Sequence, residues 1–167
     1  KTEALAHTLT ARRQTFTCVR NEPGTSSAGK DQPHEKALAD LLLQTPGDES
    51  IRILYFPEMG HCSEEDTGKM LADETSKICQ QTINLFLTVE GLSRDGDTRI
   101  WVVTQDSQPV QQGNDQPQSH LMGSSVWGLV RTIATEHTDS FGGLLDIGSA
   151  GGDETADRVI DQVLAGT

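Results

Sequence analysis

The stretch "SSVWGLVRTIATEHTDSFGGLLDI", Ser124–Ile147, decides the fold. Its first half places Val126, Leu129, Val130 and Ile133 on one stripe, which predicts a helix over Ser125–His137. Ser124 or Ser125 reads as the N-cap, because a short hydroxyl side chain can accept from the free N–H groups of a first turn. Its second half, "GGLLDIG" (Gly142–Gly148), predicts a strand. Helix, tight turn, strand is the unit from which covered parallel sheets are built.

Working outward, the same alternation repeats. "TRIWVVT" (Thr98–Thr104) is the most apolar strand, and "IRILYF" (Ile51–Phe56) is another, stopped by Pro57. Between them, about Glu64–Leu92, Leu71, Ile78, Leu85, Phe86 and Val89 recur at helical spacing. His34–Gln44 and Thr155–Leu164 predict two more helices, and Ala4–Arg13 followed by "TFTCVR" (Thr15–Arg20) a first helix and strand. "NEPGTSSAGKDQP" (Asn21–Pro33) and "QDSQPVQQGNDQPQ" (Gln105–Gln118) are loops. The fold class expected is α/β, a Rossmann-like three-layer sandwich with a mostly parallel sheet. It begins with a helix, whereas such a sheet holds its first strand at the centre.

The 167 residues suit one domain. Hydrophobic content of 34% and aromatic content of 4% leave a core of Leu, Ile and Val amid much polar loop. With 13 basic and 25 acidic residues the formal charge is −12, which repels phosphate backbones and argues against nucleic acid and anionic membrane as partners. Cys18, Cys62 and Cys79 form no C-x-x-C pair, and so sparse a set fits buried thiols in a reducing cytoplasm. No apolar run approaches the roughly 20 residues of a spanning helix, and no signal peptide is legible.

Each chemistry the opening stretch suggests lacks a part. A dinucleotide site needs a G-x-G-x-x-G turn after the first strand, and the one glycine cluster, "GSAGG" (Gly148–Gly152), follows the last strand and reads as a turn. Reductase chemistry needs a Tyr with a Lys one helical turn on, and the single tyrosine, Tyr55, sits in a strand without one. His61 and Cys62 are adjacent and lack a second ligand at zinc spacing; with Glu64, Glu65 and Asp66 they read as an acidic helix start. Gly123–Ser125 follows a loop and not a strand, so it is no nucleophile elbow. Asp106 and Asp146 stand at strand ends as phosphotransfer carboxylates would, but no Lys follows Lys77. No catalytic, cofactor-binding or metal residue is assigned.

The ordered phrases "RIWVVTQDSQPV" (Arg99–Val110), Ser124–Ile147 and "ADRVIDQVL" (Ala156–Leu164) resemble the ketoreductase region of modular polyketide synthases, and within it the N-terminal structural, non-catalytic subdomain. There a strand like "LWLVT" precedes W-G-x-x-R, E-H-P and W-G-G-L-x-D-L; the matching residues here are Trp127, Gly128, Arg131, Glu136, His137, Gly142, Gly143, Leu144 and Asp146. "IRILYFPEM" and "CQQTINLFLTVEGLS" are similar to the family's preceding strand and long helix. The likeness covers about residues 50 to 165 well and 1 to 45 by pattern alone, and it departs at Thr138 (usually Pro) and Phe141 (usually Trp).

The resemblance implies a single truncated subdomain over residues 1–167 of a short-chain dehydrogenase/reductase. Its first strand would lie upstream of Lys1, and the NADPH loop and catalytic residues beyond Thr167. Another segment is then expected to fill the central slot, because an unpaired strand edge and a core hole are both costly. The function implied is to scaffold an NADPH-dependent reductase acting on β-ketoacyl groups held by acyl carrier protein, or to persist as architecture in a non-reducing pseudo-ketoreductase. Partners would be the catalytic subdomain and other domains of the same synthase, with no small-molecule ligand bound by this chain. Two other readings stay open: a free-standing nucleotide- or S-adenosylmethionine-binding enzyme with a divergent loop, and an interaction module using its acidic face. Read as packing, Trp127 is an apolar plug and Gly128 permits close helix approach. Arg131 would pair with Glu136 or a helix-end carbonyl, and Gly142 and Gly143 would start the strand.

Overall fold

The computed structural model describes residues 33–57, 68–92, 97–108, 121–148 and 153–165. The helix and strand expected within residues 4–20, and the His61–Asp66 group, lie outside them. In chain order the elements are α1 (Pro33–Gln44), β1 (Ile51–Tyr55), α2 (Gly68–Gly91), β2 (Thr98–Gln105), α3 (Leu121–Glu136), β3 (Phe141–Ile147) and α4 (Asp153–Ala165). The expected alternation holds throughout this span, with boundaries moved by a few residues. The start of α3 moves from Ser125 to Leu121.

The strands lie in the order β1-β2-β3, all parallel. No gap falls between them, so the central slot that the resemblance implied another segment would fill is not inside this three-stranded unit. Hydrophobic alternation gives the sheet two covered faces. On one, Ile100 and Val102 of β2 pack with Leu42, Ile78, Leu85, Phe86, Val89, Val126, Val130 and Ile133 of α1, α2 and α3. On the other, Trp101 meets Ala156, Val159, Ile160 and Val163 of α4, with Leu54 and Leu145 alongside. The helices therefore sit as layers on both sides of β2, the central and most buried strand. Burying each such Ile, Val or Leu side chain contributes about 1.5–3 kcal/mol.

The N-terminal ends of the strands are tied by one carboxylate. Asp97 accepts from Arg52 of β1 at 2.8 Å and from Arg99 of β2 at 2.9 Å, while its carbonyl accepts from the Ile51 N–H at 2.8 Å. Arg99 reaches on to the carbonyl of Phe141 in β3 at 3.3 Å. Partial burial works against the Asp97 charge, but the Arg99 hydrogen bond and the charges of Arg52 and Arg99 outweigh it and hold the carboxyl below its ordinary range.

Candidate functional site

In open α/β sheets the place to look for a ligand is the crevice at the carboxyl ends of the strands. Here that edge is formed by Thr104 and the turn after β2, by Asp146 near the end of β3, and by the first turns of α3. The three meet in one network. Trp127 donates its indole N–H to the Thr104 hydroxyl at 2.7 Å, and that hydroxyl donates to Asp146 Oδ1 at 2.8 Å. The Asp146 carboxylate also accepts the backbone N–H of Ser107, at 3.1 and 3.0 Å to its two oxygens, and that of Gln108 at 2.9 Å. Ser124 donates to the Ser107 carbonyl at 2.9 Å. Asp106, in the same turn, takes a φ of 47°, a left-handed conformation that Asp tolerates better than most residues.

Trp127 is thus more than an apolar plug, since its polar edge pins β2 to α3. Ser124 does not cap α3; it lies inside the first turns, and its hydroxyl ties the helix to the β2 turn. Asp146 closes that turn with charge-assisted hydrogen bonds in the way a phosphate-binding loop would hold an anion, except that the anion is the protein's own. A Cβ at Gly148 would sit 4.0 Å from an Asp106 carboxyl oxygen, so an anion there meets a second carboxylate. The rest of the glycine cluster, residues 149–152, lies outside the described residues.

Gly142 and Gly143 do not start the strand; they lie within β3, opposite a register shift between Ile100 and Trp101. Gly142 is the extra residue of this bulge, so both glycines present the same side to Trp101. A Cβ at Gly142 would stand 2.4 Å from the indole Nε1, and one at Gly143 2.3 Å from Cζ3. The indole fills the space that both side chains would need. Its buried N–H finds no hydrogen-bond partner among the described residues, in contrast with that of Trp127.

At the opposite edge of the sheet His137 pairs with Glu90 of α2, Nδ1 to Oε1 at 2.7 Å, and not with its neighbour Glu136. Ser140 donates to the same Glu90 oxygen at 2.9 Å, and the Phe86 ring packs against the imidazole, with centroids 6.4 Å apart. Serine, histidine and glutamate are therefore neighbours, but both bond the carboxylate, so the imidazole does not face the hydroxyl as a nucleophile's base must. The cluster clasps the end of α2 to the turn between α3 and β3.

Gly128, Arg131 and Glu136 are exposed. Nothing lies within 4 Å of a Cβ built at Gly128, so no helix of the described residues requires a glycine there. Arg131 pairs neither with Glu136 nor with a helix-end carbonyl. The signature phrase therefore divides: Trp127, His137, Gly142, Gly143, Leu144 and Asp146 are bound into the framework, and Gly128, Arg131 and Glu136 face outward. Sequence reasoning missed Trp101, Thr104, Ser107, Glu90 and Ser140 as their partners. The phrase "WVVTQDS" held one usable signal, hydroxyls flanking a strand end. Among the described residues no group of three His, Cys, Asp or Glu converges as a metal site needs, and no helix is long and apolar enough to cross a membrane.

The chain matches the family model described as polyketide synthase extender module SpnB, Rossmann fold domain, over residues 10–167. It is 41% identical over 152 residues, 87% of its length, to polyketide synthase GfsA of Streptomyces halstedii, of which it spans only 2%. No solved structure matches it. The parallel sheet, its two covered faces and the match over nearly the whole chain place this protein in the Rossmann-fold domain family of polyketide synthase extender modules.

Proposed function

We propose that this domain is the non-catalytic structural subdomain of a polyketide synthase ketoreductase. On this reading a catalytic subdomain outside this chain reduces the β-ketoacyl group on acyl carrier protein with NADPH. The domain described here contributes stability and orientation through a packed interface. The observation that carries the proposal is the network of Trp127, Thr104, Asp146 and Ser107. It hydrogen-bonds to itself the polar groups that a Rossmann-like edge would turn toward a ligand. The overlap of Trp101 with the two glycines supports it further, because the most specific part of the signature serves packing.

The test is made in the intact synthase module. Gly143→Ala, which strains the framework against Trp101, is expected to lower the yield of soluble module while the surviving enzyme keeps its KM for NADPH. A stably folded variant with a several-fold changed KM for NADPH would overturn the proposal. In a module whose reductase half is inactive, soluble yield is the readout, and an unchanged yield would count against a scaffolding role.

A further inference from the structure

We draw no further inference here: the strongest candidate, the outward face of α3 on which Ser124, Gly128 and Thr132 line up as small residues beside the exposed Arg131, carries nothing because nothing in the structure shows what covers it.

Discussion

Three glycines of this chain, all in the signature phrase, sit in opposite physical situations. Gly142 and Gly143 lie under the indole of Trp101, where added Cβ atoms would fall 2.4 and 2.3 Å from ring atoms. Neither ring nor strand can give way easily, since Trp101 is clamped from above by α4. Gly143→Ala is therefore expected to cost about 1–3 kcal/mol, the range for overpacking a core, measurable as a lowered urea midpoint. Gly128 lies on the open side of a helix, where glycine only adds backbone freedom to the unfolded chain. Gly128→Ala should stabilise the chain by roughly 0.5–1 kcal/mol. If both substitutions moved stability in the same direction, the division of the signature into inward and outward residues would be wrong. The two tryptophans differ in the same spirit: the N–H of Trp101 has no partner among the described residues, and that of Trp127 makes a hydrogen bond of 2.7 Å. Trp127→Phe keeps most of the ring and removes that bond, so a loss of about 1 kcal/mol is expected in the same titration.

At the scale of elements, the alternation of strands and helices was legible because each buried face repeats at its own period. Leu71, Ile78, Leu85, Phe86 and Val89 announce α2 from sequence alone, and the apolar run Ile100–Val103 announces the central strand. The start of α3 was not legible. Ser124 and Ser125 look like caps, but the Ser124 hydroxyl is drawn to the Ser107 carbonyl, 17 positions earlier, a tertiary partner no local pattern shows. The double glycine was legible as the start of a strand but not in its cause, which is an indole on the neighbouring strand. His137 is a third case, since its carboxylate partner is not the adjacent Glu136 but Glu90 on α2. The local pattern decided what the elements are, and contacts across the sheet decided what the signature residues do. Asp146→Asn offers a check at this scale. It should weaken the closure of the β2 turn and raise amide exchange at Ser107 and Gln108, while leaving the strand N–H groups of β2 protected.

For the whole molecule, charge sets the conditions under which the fold holds. In a chain of net charge −12, the Arg52–Asp97–Arg99 group brings two cations to one carboxylate at the N-terminal ends of β1 and β2. Because Asp97 titrates lower in the folded state than in the unfolded, its contribution is present above the unfolded value near 4 and is lost as pH falls through the folded one. Asp97→Asn is expected to be less stable than the wild type at pH 6 to 7, with the gap closing as the solution is acidified toward pH 3. The carboxylate is partly exposed, so solvent screening keeps the gap to about 0.5–1 kcal/mol. A gap that widened on acidification would show that the pair does not act as described.

Whether the C-terminal edge of the sheet still binds a ligand bears on the account most directly. Its polar groups are joined to one another through Asp146, and the Asp106 carboxylate stands beside Gly148 at the same edge. The deciding measurement is calorimetric titration of the folded chain with NADPH, and with NADH and S-adenosylmethionine in parallel. A scaffold domain gives no saturable heat with any of the three. Saturable binding of one of them, abolished by Asp146→Asn or Trp127→Phe in a chain that remains folded, would show that this edge is a working site and contradict the structural role.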